Sequence, residues 1–137
     1  MDNTMLKFDN FLWDYLKKDS YKIYYQFLIE KNKVMNLTNI TEEKDVYEKH
    51  FYDSVILQKA IDIKNKSLLD VGSGAGFPSL PLKLYDDSLK VTIVDSLNKR
   101  ILFLKELVEK LDLKNIELIH SRAEDLEVKE AYDIVAA

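Results

Sequence analysis

The chain contains no cysteine, which removes disulfides, thiol nucleophiles and thiolate metal sites together. Its two histidines, His50 and His120, lie far apart and suggest no metal cluster. Positive charge is not in excess either. The formal net charge is −4, so any nucleic-acid contact must be local rather than a general polyanion footprint. No apolar run is long enough for a bilayer: the longest uncharged stretch, Val71 to Leu82, is too short, and the N-terminus mixes acids among its apolar residues. The expectation is a cytoplasmic chain with no membrane partner and no metal. Glycine and proline are scarce. All three glycines and both prolines fall between Gly72 and Pro81.

That confinement is informative because glycine and proline punctuate a backbone more strongly than any other residues. The segment reads Leu68-Leu69-Asp70-Val71-Gly72-Ser73-Gly74-Ala75-Gly76-Phe77-Pro78. A short apolar run ends in a carboxylate and feeds a glycine loop that opens a helix. In α/β proteins such a loop is where a nucleotide-like cofactor lies. With 137 residues, 47% of them apolar, the chain can bury a sizeable core.

Two textures divide the chain. Residues 1–62 read as a helical region. Leu6, Phe8, Phe11, Leu12, Tyr15 and Leu16 recur at helical spacing, as do Tyr24, Phe27, Leu28, Val34 and Met35. Ser20 is placed to cap the second helix. Thr41 is placed to cap a third that runs through Val46, His50, Ser54, Leu57 and Ile61. Residues 63–137 alternate strand and helix patterns. Strands are expected at 67–71, 90–95, 115–120 and 132–136, with a helix opening near Ser79–Pro81 and a short turn or helix over 123–126. Leu97, Ile101, Leu104, Val108 and Leu111 repeat at spacings of 4, 3, 4 and 3, one face of a further helix. The expected fold is α/β, a Rossmann-like, doubly wound and mostly parallel sheet behind an N-terminal helical region.

The glycines follow G-x-G-x-G. The dinucleotide fingerprint G-x-G-x-x-G would need its third glycine at Phe77. The closer spacing suits a smaller cofactor without a pyrophosphate. Asp70 stands where it could accept from an ammonium or order the loop, and the loop amides and helix start can hold a carboxylate. Asp95 ends the second strand, placed to accept both hydroxyls of a ribose. Ammonium, carboxylate and ribose hydroxyls are the handles of S-adenosylmethionine. After the third strand, backbone at Ala123 is placed to read an adenine edge and Glu124 to accept its amino group. His50 and Asp53, at i, i+3, could serve as a dyad on one helical face, but such pairs usually cap or brace a helix. Of the only two arginines, Arg100 and Arg122, the first is open to a phosphate contact or to solvent.

The runs LLDVGSGAGFPSLPL, VDSLNKRILFL and HSRAEDL, with Asn36-Leu37-Thr38-Asn39-Ile40 and His50-Phe51-Tyr52-Asp53-Ser54 upstream, resemble the RsmG/GidB family. These are bacterial guanine-N7 methyltransferases of small-subunit 16S rRNA. The resemblance spans Asn36 to Ala137. It implies a class I S-adenosylmethionine-dependent methyltransferase with 16S rRNA, or the small ribosomal subunit, as partner. It also implies contacts to S-adenosylmethionine at Gly72 and Phe77 within a loop formed by Ser73, Gly74 and Gly76. Asp95 matches the ribose-binding acid, and Ala123 and Glu124 match the pair beside the adenine. Two departures stand out. Ser79 replaces the glycine usual after the loop proline. The arginine, strands and helices that follow in the family have no counterpart after Ala137.

A doubly wound sheet normally carries more strands than four, and an apolar last strand would leave an open edge. The domain is therefore expected to be incomplete, the chain being a cofactor-binding fragment without activity of its own. Methylation of guanine N7 needs no general base, so catalysis is expected to rest on orientation and electrostatics, with no catalytic residue nominated. The alternatives are a nucleotide-dependent oxidoreductase, against which Phe77 speaks, and a non-catalytic cofactor-binding module.

Overall fold

The structure is a computed structural model and describes residues 10–126 and 131–137. Leu6 and Phe8, assigned above to the first helical stripe, lie outside the described residues. Four strands, β1 (Ser67–Val71), β2 (Lys90–Asp95), β3 (Ile116–His120) and β4 (Ile134–Ala136), form one sheet in the order β3–β2–β1–β4. All three pairings are parallel, with Val71 opposite Val94, Asp70 opposite Ala136 and Asp95 opposite His120. The order reverses direction at β1, as a doubly wound sheet requires. Val91 to Asp95 are all buried, so β2 is covered on both faces as a central parallel strand must be.

Helices α1 (Asn10–Tyr15) and α2 (Asp19–Met35) precede a continuous helical run over residues 43–59. That run begins as α3 (Glu43–Val46), widens into a π-helical turn (Tyr47–Tyr52), and continues as α4 (Asp53–Val55) and a 3-10 turn (Ile56–Lys59). Helix α5 (Ser79–Tyr85) links the glycine loop to β2, and α6 (Asn98–Lys110) links β2 to β3. A short 3-10 turn, Ala123–Asp125, follows β3.

Three local expectations are corrected. Ser20 lies inside the first turn of α2, whose N-cap is Lys18. Glu42, not Thr41, is the N-cap of α3. The stripe Val46, His50, Ser54, Leu57, Ile61 does not form one buried face: Phe51, Tyr52 and Val55 are buried, while Leu57 and Ile61 are largely exposed. The helical run ends at Lys59, before Ile61, and the i→i+5 bonding of the π-helical turn changes the phase between Val46 and Leu57.

One apolar core joins both textures. Leu12, Leu16, Tyr21, Tyr24, Phe27 and Leu28 from the helices share it with Leu68, Leu80, Ile93, Phe103 and Leu107. Phe27 stacks on Phe103, rings 5.4 Å apart and almost parallel. Three tyrosines also donate to main-chain carbonyls of the segment around the glycine loop and α5. Tyr24 bonds Ala75 at 2.5 Å, Tyr21 bonds Pro81 at 3.0 Å, and Tyr15 bonds Leu84 and Tyr85 at 3.1 and 3.2 Å. A buried phenol needs such a partner, and each one ties the helical region to the sheet.

Candidate cofactor site

The C-terminal ends of β1, β2 and β3 open into a cleft of about 380 Å³, within the usual size range for a small-molecule site. Gly72, Asp95, Ala123 and Glu124 line it, together with Arg100, Ser121 and Arg122. Ser73, Gly74, Gly76 and Phe77 are not among its lining residues. Sequence reasoning did not select Val94 and Ser96, which also line it; apolar strand residues and a lone serine carry no motif signal.

Asp95 is almost fully buried. Its Oδ1 accepts the Leu97 N–H at 2.9 Å, a short turn that sets up the start of α6. Oδ2 is buried and has no hydrogen-bond partner. The nearest cation is the Arg100 guanidinium, 3.6 Å away. The carboxylate expected to accept both ribose hydroxyls thus holds a backbone N–H on one oxygen and faces the Arg100 guanidinium with the other.

Two more buried oxygens are in the same condition, Asp70 Oδ2 and Ser73 Oγ. All three orphaned acceptors found among the described residues cluster at the ends of β1 and β2 and in the glycine loop. Buried polar atoms are nearly always paired, so three without a hydrogen bond single out this end of the sheet. Burial pushes the Asp70 carboxyl up to about 6, against the lowering effect of hydrogen bonds from the Ser79 hydroxyl and backbone.

Gly72 has φ +74° with open space where a Cβ would stand, and its N–H donates to Val94 O at 2.7 Å. The backbone here is left-handed and can be approached closely from the cleft. Gly76, at φ +97°, has no such space: a Cβ would lie 2.6 Å from the Tyr24 hydroxyl and 2.8 Å from Leu80 Cδ1.

Phe77 turns toward the helical region. Its ring stacks with Tyr24, at 5.5 Å, and with His50, at 4.3 Å, both near parallel to it. Asn36 ends α2 in the left-handed conformation, and Asn32 Oδ1 then accepts the Thr38 N–H at 2.8 Å. This places Thr38 Oγ1 2.9 Å from His50 Nε2. Burial holds the His50 imidazole below its usual pKa. Asp53 is exposed and no bond joins it to His50 among the described residues; the two upstream signatures meet at the Thr38–His50 bond. Both buttress the loop from outside the cleft.

A parallel sheet with this strand order, a glycine turn after β1 and an acid at the end of β2 defines the fold of the class I S-adenosylmethionine-dependent methyltransferases. A solved S-adenosylmethionine-dependent methyltransferase from Aquifex aeolicus superposes with TM-score 0.56 at 25% identity, covering 87% of this chain and 56% of that one. M. jannaschii TYW2 in complex with AdoMet superposes with TM-score 0.56 at 22% identity, over 71% of this chain and 42% of that one. The chain belongs to the GidB family, rRNA small subunit methyltransferase G, whose model matches residues 17–137. It is 52% identical over 135 residues to the ribosomal RNA small subunit methyltransferase G of Lactobacillus helveticus, covering 93% of this chain and 56% of that protein. The corresponding protein of Staphylococcus carnosus is 51% identical over 127 residues, covering 88% of this chain and 53% of that protein. The chain thus spans about half the length of the curated relatives it matches.

Proposed function

We propose that this chain carries the cofactor half of an S-adenosylmethionine-dependent methyltransferase acting on N7 of a guanine in 16S rRNA of the small ribosomal subunit. The observation that carries the cofactor reading is that Gly72, Asp95, Ala123 and Glu124 line one cleft at the C-terminal ends of the parallel strands; three buried oxygens without a hydrogen bond, Asp70 Oδ2, Ser73 Oγ and Asp95 Oδ2, lie at the same end of the sheet. Family membership supports the rRNA substrate. Asp95 Oδ2 is assigned to a ribose hydroxyl, Gly72 to close approach of the cofactor, Ala123 and Glu124 to the adenine edge, and Asp70 to the ammonium or the loop. Ser73, Gly74, Gly76 and Phe77 are assigned to shaping the turn.

The chemistry the cofactor supplies is a sulfonium-bound methyl open to in-line displacement by the guanine N7 lone pair, the carbon–sulfur electrons leaving on sulfur with no proton to remove. The protein then needs no general base. Its task is to hold two partners in line and to exclude alternatives. Substrate contact is assigned to a chain of the family's full length, and the 137 residues alone are proposed to bind the cofactor without transferring its methyl group.

Calorimetry with S-adenosylhomocysteine tests the cofactor assignment. Asp95→Ala removes a charged acceptor worth roughly 1.5–3 kcal/mol, so binding should weaken about tenfold or more. An unchanged dissociation constant would show that the ribose is held elsewhere. Tritium transfer to unmodified small subunits, run beside the Lactobacillus helveticus relative, tests the rest. Transfer by the relative alone is expected; transfer by this chain would place the whole transfer machinery within it.

A further inference from the structure

We infer that Tyr24, on α2 of the helical region, is a positioning residue for the cofactor loop. Its hydroxyl fastens the Ala75 carbonyl and its ring backs Phe77, so that the turn through residues 72–76 keeps the shape in which it receives a ligand. The inference rests on the cofactor reading above and adds to it a residue that lies outside the cleft and in the other half of the sequence.

Tyr24 is fully buried. Its O–H···O bond to Ala75, at 2.5 Å, lies inside the loop itself, between Gly74 and Gly76. The loop has few bonds of its own: Gly72 N–H to Val94 O at 2.7 Å, a long Gly76 N–H to Ser73 O at 3.3 Å, and Leu80 N–H to Gly76 O at 2.8 Å. Three glycines in left-handed backbone conformations make this segment costly to order. An external anchor at its midpoint therefore limits how far the turn can wander.

The third glycine fits the same reading. A Cβ at position 76 would meet the Tyr24 hydroxyl and the Leu80 side chain well inside contact distance. Gly76 is thus a seat for Tyr24, whereas Gly72 faces open space. The near-parallel stacks of Tyr24 and of His50 on Phe77 hold the residue at which the loop turns into α5. One side chain therefore contacts two residues of the loop by two different interactions.

The molecule supplies its own control. Tyr21 lies one helical turn earlier, is equally buried, and makes the same kind of bond, but to Pro81 within α5. Each change keeps the ring and removes one buried tyrosine–carbonyl bond, so both should cost stability. Only the Tyr24 bond reaches the glycine loop.

The test compares Tyr24→Phe with Tyr21→Phe in the 137-residue chain. S-adenosylhomocysteine affinity is measured by calorimetry, melting temperature by circular dichroism, and amide exchange without ligand by mass spectrometry. Both variants should melt lower than the unmodified chain. Tyr24→Phe should bind roughly two- to tenfold more weakly, the range expected for one neutral hydrogen bond, with Tyr21→Phe close to the unmodified chain. Exchange should accelerate over residues 74–77 in Tyr24→Phe alone. Equal affinity in Tyr24→Phe and the unmodified chain, or equal weakening in both variants, would overturn the inference. If the folded, unmodified chain takes up no S-adenosylhomocysteine, the cofactor reading fails on its own. The exchange data then decide the clamp separately: acceleration confined to Tyr24→Phe upholds it, and unchanged loop exchange overturns it.

Discussion

Asp70 shows what a single residue at a strand end can trade. It is 1% exposed, its Oδ2 is unpartnered, and burial raises its pKa from 3.8 to about 6. A folded-state pKa above the unfolded one means the native protein holds the proton longer. Stability therefore falls as pH rises through the window from about 4 to 6, and the full cost persists above it. The shift corresponds to about 3 kcal/mol. Asp70→Asn removes the titration. Measured by urea unfolding, the variant's stability relative to the unmodified chain should rise by about that amount between pH 4 and pH 7.5. A constant difference across that range would show that the carboxyl titrates normally. Binding should move the opposite way. If the charged carboxylate accepts from an ammonium or orders the loop, affinity of the unmodified chain for S-adenosylhomocysteine should decline below pH 6, and the variant's should be weak and flat. The residue would then keep a charge that costs stability because the ligand uses it.

At the scale of elements, α5 ends on a buried cation. Lys83 Nζ donates to Asp87 O and Leu89 O, both at 2.6 Å, and lies 3.6 Å from the Asp87 carboxylate. It joins the end of the helix to the start of β2. Lys83→Met keeps the aliphatic stem but orphans both carbonyls, which should cost about 2 kcal/mol by thermal unfolding while leaving cofactor affinity unchanged. An unchanged melting temperature would show that water replaces the ammonium. This join has no pattern in the sequence. The strands were legible for the converse reason. β1 and β2 are short apolar runs bounded by polar residues and rich in branched side chains, and their ends coincide with expectation. The helical run over residues 43–59 was legible as a helix but not in its phase, because a π-helical turn leaves no compositional mark. The cleft residues Gly72, Asp95, Ala123 and Glu124 were legible because the fold places strand ends together and the motif sits on those ends. The orientation of Phe77 was not, since Tyr24 and His50, far away in sequence, set it.

For the whole molecule, the two textures of the sequence raise the question of whether residues 1–62 and 63–137 are separate folding units. The side chains that cross between them argue for a single one. Tyr21 and Tyr24 are buried and bonded to carbonyls at Pro81 and Ala75, and Phe27 stacks on Phe103. Removing the helical region would strip the cover from α5 and α6 and orphan the carbonyls that Tyr15, Tyr21 and Tyr24 now satisfy. A buried aromatic side chain is worth about 3–5 kcal/mol on truncation, so the loss of several exceeds the usual stability of about 5–15 kcal/mol for a domain. The intact chain should therefore unfold in one transition, with far-ultraviolet circular dichroism and intrinsic fluorescence giving coincident midpoints in urea. A chain lacking residues 1–62 should show neither a cooperative transition nor cofactor uptake. A folded 63–137 segment that binds S-adenosylhomocysteine as tightly as the whole chain would show the helices to be an appendage, and would remove the basis for reading α2 as the wall against which the cofactor loop is built.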